Sequence, residues 1–416
     1  MPQLQTCAST DTGWAASGPS AGRRTRPGPG ARIVAAARRA WPALLGYAVV
    51  RALGVALVLA RTDKTLLDAL ASRWDTAWYL TIAEEGYPAT CPRQGELCRY
   101  AFFPLYPTLI RGAAAVSPLS AQAAAWLIAM AASMAAAWGI FAVIDRVAGG
   151  RAASVTVVMW GIVPHAVVQS MAYTEALFTA VAAWALYAVL THRWLTAGLL
   201  ALLAGLTRPT GAALVAAVVL YALWTLCRRP APRPALGGGA PRWLAEEDGR
   251  PVARLVGAVV VAPLGWCFWF GWVGHRAGRW DGYFRVQQRW GSAFDGGAYT
   301  MRQLNAVFTQ ATISLDKVVI AGTIAACVVL LLICVLQRQP APLLVYAAAT
   351  LLITLGGAGY FHSKARFLLP AFTLLLPLAK PLARARPAVA WTLLAGATVV
   401  SSAYGSFLLT VSGHSP

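Results

Sequence analysis

Apolar runs of spanning length, about 20 residues each, follow one another through most of this chain, with short Arg-rich segments between them. That pattern leaves few folds open. Of the 416 residues, 58% are hydrophobic and 12% charged, roughly half the charged share of a soluble domain. Such a chain cannot hide its apolar side chains in one aqueous core, whereas a bilayer accepts them. The runs are continuous and rich in Ala, Leu and Val, without the strict alternation of a β-barrel. They predict an all-α, polytopic membrane protein with about 11 transmembrane helices.

The net charge of +20 would suggest nucleic acid if the chain were soluble. Here the basic residues lie largely between apolar runs, which is the positive-inside pattern. No soluble segment interleaves aromatic and basic residues as a single-strand binder does, so no nucleic-acid partner is expected. Only 4 of the 35 basic residues are Lys, which points to a high-GC bacterial coding bias. Residues 1–42 are polar, Gly/Pro-rich and basic (Arg23, Arg24, Arg26, Arg32, Arg38, Arg39). They predict a disordered cytoplasmic tail and no cleavable signal peptide, with residues 43–416 forming the membrane domain.

Spans are expected near 43–60, 121–145, 153–168, 175–191, 195–206, 211–227, 255–273, 316–336, 341–357, 367–382 and 388–410. Residues 102–116 (FFPLYPTLIRGAAAV) are short and Pro-interrupted, and read as an interfacial helix or a shortened span. With the N-terminus inside, Arg146 and Arg151, His192 and Arg193, the basic connector 228–254, Arg338 and the RARP segment 384–387 all fall on the cytoplasmic side. The threading then sorts the remaining polar residues. Outside fall the loop 62–101 with Asp75, Glu84 and Glu85, then 169–174 with Glu175, and Thr207-Arg208-Pro209. So do 274–315 with Asp281, Arg285 and Arg289, and 358–366 with His362, Lys364 and Arg366. Carboxylates, cations and aromatics converge on one face, and that asymmetry is the main functional signal.

Each motif on that face carries two readings. In RWDTAWYLTIAEEGYP (73–88), Asp75 follows Trp74 in a segment with helical spacing at Trp74, Trp78 and Ile82. It is either a carboxylate aimed at the membrane surface by an interfacial helix or a solvated acid in an aromatic belt. Trp74 and Tyr79 beside it are candidate substrate contacts. In PHAVVQSMAYTEALF (164–178), Glu175 begins an apolar span. An ionisable group at that depth is costly and suggests function, or else it serves the helix N-terminus with Thr174 as cap. In GLTRPTG (205–211), Arg208 sits at a kink between two short spans, suited to a phosphate through its forked donors or snorkelling at a helix end. In GYFHSKARFLLP (359–370), His362, Lys364 and Arg366 crowd together against the positive-inside trend, which favours a bound phosphate, although one or two of the three are expected to face water. The segment RWDGYFRVQQRWG (279–291) is amphipathic and reads as membrane-surface packing or acceptor contact. Cys91 and Cys98, seven positions apart in the first outer loop, are expected to form a disulfide that staples it. Zinc is a poor alternative there, because no His is near the pair.

Taken in order, RWDTAWYLTIAEEGY, FFPLYP, YTEALF, GLTRPTG and HSKARFLLP resemble the PIG-V family, the second mannosyltransferases of GPI-anchor synthesis and their bacterial relatives, which belongs to the GT-C glycosyltransferases. The resemblance covers roughly 43–380. It implies a GT-C-like fold and inverting transfer of mannose from a polyprenyl-phosphate carrier on the outer face of the cell membrane, with Asp75 at the position of the expected base. The acceptor implied for a bacterial chain is a lipid, glycan or protein. Glu175, Arg208, His362, Lys364 and Arg366 become substrate contacts in that scheme.

The chemistry of the residues is compatible with that role. A lipid-phosphate sugar carries a good leaving group, so one carboxylate acting on the acceptor hydroxyl suffices, unlike the paired carboxylates of a glycosidase. Cations at Arg208 and 362–366 would stabilise the departing phosphate. No phosphate-cradling Gly loop points to a nucleotide donor. Asp75 with Glu84 or Glu175 offers a place for a divalent cation, although no clear metal constellation stands out. The competing classes are a transporter or lipid flippase, which would place charges near the midplane, and a non-catalytic subunit of an envelope assembly.

Overall fold

The computed structural model describes residues 29–91, 96–228 and 252–416. The chain divides into two units, Met1–Arg39 and Ala40–Pro416, and the contacts given below belong to the second. Among the described residues, five helices are long and apolar enough to cross a bilayer. They are Val34–Leu59 within α1 (Pro29–Leu59), α5 (Ala121–Ala148), α10 and α11 together (Val252–Val261, Leu264–Arg276), α14 (Leu315–Leu336) and α18 (Pro387–Thr410). Four shorter apolar helices complete the bundle: α7 (Thr174–Leu190), α8 (Trp194–Gly205), α9 (Gly211–Cys227) and α15 (Ala341–Gly356).

The structure departs from the expected spans in three places. Helix α1 starts at Pro29, so residues 29–42 are helical and not an unstructured tail; the Ala- and Arg-rich run before Trp41 has high helix propensity. The rest of that expected tail and connector residues 229–251 lie outside the described residues. The expected span at 153–168 is the shorter helix α6 (Gly150–Gly161). Its twelve residues rise roughly 18 Å, well under the hydrocarbon thickness of about 30 Å, and Pro164 prevents its continuation. The expected span at 367–382 is broken. Phe361–Phe367 and Phe372–Arg384 meet at 76°, with Pro370 in the break; the second piece contains α17 (Leu376–Arg384).

Small residues let the central helices approach closely. A Cβ on Gly139 of α5 would lie 2.9 Å from that of Ala183 on α7. Around this contact Ala136, Ala137, Ile140, Ala182 and Leu186 are fully buried. Large apolar side chains instead cover the outside, including Leu199, Leu220, Leu332 and Trp391. That inversion suits a lipid solvent and would be an aggregation liability in water.

The connections at one end of the bundle are themselves folded. They hold α2 (Leu66–Leu70), α3 (Asp75–Glu85), a 3-10 turn at Arg99–Ala101, and α4 (Leu105–Val116). Later come α12 (Gly282–Arg289), α13 (Ala298–Thr309), and a two-stranded antiparallel ladder of β1 (Ala293–Phe294) with β2 (Gly357–Ala358). Helix α4 is one 12-residue element, too short to span. Its Leu105 N–H donates to Leu206 O at 3.0 Å, tying FFPLYP to the GLTRPTG break.

Candidate functional site

The site is assembled from four breaks in the helical pattern. The first is the start of α3. Trp74 sits just before the helix with φ 55, a costly conformation for a bulky side chain. It turns the chain so that Asp75 occupies the first helical turn, where the helix dipole favours a carboxylate. Thr76 Oγ1 then donates to Ala172 O at 3.2 Å, pinning α3 to the segment before α7. Tyr79 is buried, its hydroxyl 3.2 Å from Thr174 Oγ1, with Phe102 and Tyr106 edge-on to its ring. Trp78 packs on Phe102 and Trp290, so the aromatic face expected in the headgroups meets protein.

The second break is the start of α7. Tyr173, not Thr174, holds the N-cap position, and no side chain caps the helix. Thr174 is instead committed to Tyr79. Glu175 follows with its side chain 2% exposed. The third break, between α8 and α9, presents Arg208 Nη1 2.5 Å from Glu175 Oε1. Both atoms are buried, so the pair is shielded from water. The break is tight because a side chain on Gly211 would lie 2.7 Å from Ala204 O.

The fourth break is the segment 360–367. Tyr360 is in the left-handed region at φ 48, and its hydroxyl donates to Trp290 O at 2.5 Å. A side chain on Gly359, at φ 83, would collide with Gly291 O. The short helix α16 (Lys364–Phe367) then splits its two cations. Arg366 Nη2 reaches Asp75 Oδ2 at 2.8 Å, and its Nε lies 3.6 Å from Glu175 Oε1. Lys364 Nζ donates to Thr354 O and Gly357 O, both at 2.6 Å, at the end of α15. It is a brace between backbones and does not join the acids.

The structure therefore brings Asp75, Glu175, Arg208 and Arg366 into one chain of ion pairs, with Tyr79 and Trp74 beside Asp75. His362 lies nearby, its ring 5.4 Å from that of His414. Of the three, Lys364 and Arg366 are buried and His362 is half-buried, so the chain break folds both cations inward and leaves the imidazole partly open to solvent. Two acids and two guanidinium groups balance in charge, and only Asp75 keeps substantial exposure, 27%. Glu84 is exposed, and Glu85 pairs with Arg99 at 2.7 Å. Among the described residues no three His, Cys, Asp or Glu side chains gather as a metal site.

Cys91 and Cys98 form a disulfide with Cα atoms 5.4 Å apart. Trp290 Nε1 donates to Cys98 O at 3.0 Å. Helix α12 buries Tyr283 and Val286 against Tyr100, Phe103 and Trp269, so this amphipathic segment packs on the first loop. Asp281, before α12, is pulled down to about 2 by hydrogen bonds from Arg279 and Arg285. The sequence reading missed Tyr173 and Ser415. The Tyr173 ring lies 5.0 Å from the Arg366 guanidinium carbon. Ser415 Oγ lies 3.5 Å from Arg366 Nη1 and 3.3 Å from Tyr173 Oη. An aromatic two residues before a membrane-depth acid was the available signal for Tyr173; nothing local marked Ser415.

The model of the dolichyl-phosphate-mannose-protein mannosyltransferase family matches residues 103–236, under half of the chain. Comparison with curated proteins gives no match. The crystal structure of ArnT from Cupriavidus metallidurans bound to undecaprenyl phosphate superposes with a TM-score of 0.51 at 17% identity, over 86% of this chain and 62% of that one. The apo structure of the same protein gives 0.52 at 15%, over 89% and 65%. The chain thus spans under two thirds of the length of those proteins. At such identity the likeness is one of fold, and it agrees with the helices described above: the chain is an all-α, polytopic membrane protein of GT-C-like fold.

Proposed function

We propose that this protein is an inverting mannosyltransferase of the PIG-V-like type, moving mannose from a polyprenyl-phosphate carrier to a lipid, glycan or protein acceptor on the extracytoplasmic face of the cell membrane. The observation that carries the proposal is Asp75, a solvent-accessible carboxylate fixed 2.8 Å from the buried Arg366 guanidinium. The matched mannosyltransferase model and the ArnT structure bound to undecaprenyl phosphate support the donor class.

In the reaction, Asp75 takes the proton of the acceptor hydroxyl as that oxygen attacks the sugar's anomeric carbon. The bond from that carbon to the phosphate oxygen breaks on the opposite face, giving inversion. The phosphate leaves with its electron pair. Arg366 turns toward that developing charge while it holds Asp75 in register. Glu175 and Arg208 fix the position and charge of Arg366 from behind, and the start of α3 aims Asp75 through the Trp74 turn. Arg208 acts on the donor through Glu175, which its Nη1 meets at 2.5 Å. Lys364 supports the segment that carries Arg366. Trp74, Tyr79 and His362 line the approach.

The test is to incubate purified protein with radiolabelled polyprenyl-phosphate mannose and a membrane lipid extract, and to identify the labelled product. Labelled product of inverted anomeric configuration is expected. Absence of transfer from any lipid-phosphate sugar would return the transporter and scaffold readings.

A further inference from the structure

After α18 the chain folds back over the site, where its side-chain hydrogen bonds are long and Pro416 is buried. Ser412 N–H donates to Phe407 O at 3.0 Å, continuing the helix end. Gly413 and His414 are exposed. Ser415 then reaches inward to Arg366 Nη1 at 3.5 Å and Tyr173 Oη at 3.3 Å. Of the rest of the Arg366 guanidinium, Nη2 is paired with Asp75, and the buried Nε lies 3.6 Å from Glu175 Oε1 without a hydrogen bond. Nη1 makes no ion pair among the described residues, and a neutral hydroxyl at the limit of hydrogen-bonding distance occupies it.

We propose that residues 411–416 are a displaceable strap, with Ser415 Oγ holding the place that a phosphate oxygen of the lipid-phosphate donor takes beside Arg366 and Tyr173. This rests on the donor class proposed above. A charged phosphate oxygen makes a shorter and roughly twofold stronger hydrogen bond to guanidinium than a hydroxyl does, so exchange of one for the other is favourable. The strap gives up the long Ser415 contacts, the His414–His362 ring contact at 5.4 Å and the burial of Pro416. Chain ends with exposed backbone and few side-chain hydrogen bonds open at lower cost than the helical core. A closed strap lowers the apparent affinity for the donor in proportion to the fraction of molecules that are open.

The experiment uses the full-length protein in nanodiscs with undecaprenyl phosphate as probe. Amide exchange across 408–416 is measured with and without it, and affinity is compared among wild type, Ser415→Ala and a chain lacking 412–416. Undecaprenyl phosphate should speed exchange in the strap, and deletion should tighten its binding by about threefold or more, with Ser415→Ala between. Unchanged exchange, or binding that is unchanged or weaker in both variants, would overturn the strap. Both readouts are independent of transfer, so a strap that opens on binding without sugar transfer would indict the proposed activity alone, and transfer with an unresponsive strap would indict the strap alone.

Discussion

Asp75 and Glu175 each sit in the first turn of a helix, α3 and α7, and both face Arg366, at 2.8 and 3.6 Å. Their surroundings separate them. Asp75 is 27% exposed and has one recorded cationic partner, whereas Glu175 is 2% exposed and lies between two guanidinium groups. A carboxylate that does chemistry needs access to the acceptor. A carboxylate that holds buried cations in place needs to be shut in, because either cation alone would carry a large desolvation penalty. The shared arginine lets a rigid, charge-balanced interior position a reactive group at the surface. The same division appears two residues apart in α16, where Arg366 meets the acids and Lys364 is consumed by backbone carbonyls.

Substitutions can break this contrast at either end. Asp75→Asn should lower turnover by about 10²–10⁴-fold, the usual worth of a general base, and cost less stability than loss of Glu175, because Asp75 is 27% exposed and the amide still accepts from Arg366. Glu175→Gln should act in the opposite sense, destabilising the fold by roughly 3–5 kcal/mol because two guanidinium groups lose their buried partner; thermal unfolding in detergent measures it. Adding Arg208→Met to Glu175→Gln should recover part of that loss, and a fully additive double variant would show the two do not interact. Lys364→Met should destabilise by on the order of 2 kcal/mol, from lost charge-assisted hydrogen bonds, with turnover per folded molecule retained. A collapse of turnover at constant folded fraction would move Lys364 into the chemistry.

The smallest effect belongs to the rim. Hydrogen bonds from Arg279 and Arg285 hold the Asp281 carboxyl down to about 2, so its stabilising contribution is complete above the ordinary carboxylate pKa, about 4, and is lost as pH falls toward 2. Amide exchange in α12 should therefore quicken only in that acid window, and Asp281→Asn should remove the dependence.

The bundle itself was readable because apolar runs, Arg-rich breaks and prolines are local signals. Helices α7, α8, α9, α14, α15 and α18 lie close to the expected spans. The failures are where local pattern and tertiary packing disagree. The run at 153–168 is apolar enough to span but stops at Gly161, and the Pro370 break turned one expected span into two pieces at 76°. Within the site, Glu175 and Arg208 were conspicuous as charges in apolar surroundings, and Asp75 stood out beside its aromatics. The pairing of Asp75 and Glu175 through Arg366 was not readable, since it joins segments 291 and 191 positions apart. Composition also could not separate Lys364 from Arg366: which cation is spent on carbonyls depends on where α15 ends. Ser415 carries no local signature at all and owes its place to the path of the chain after α18.

The most direct measurement is the rate of mannose transfer per folded molecule by Asp75→Asn, beside wild type of matched unfolding temperature, in the same lipid with the same polyprenyl-phosphate mannose. Loss of at least about a hundredfold with the fold intact is expected of a base at this position. Turnover near that of wild type would mean that the proton of the acceptor goes elsewhere, and that the Asp75–Arg366 pair is part of the scaffold.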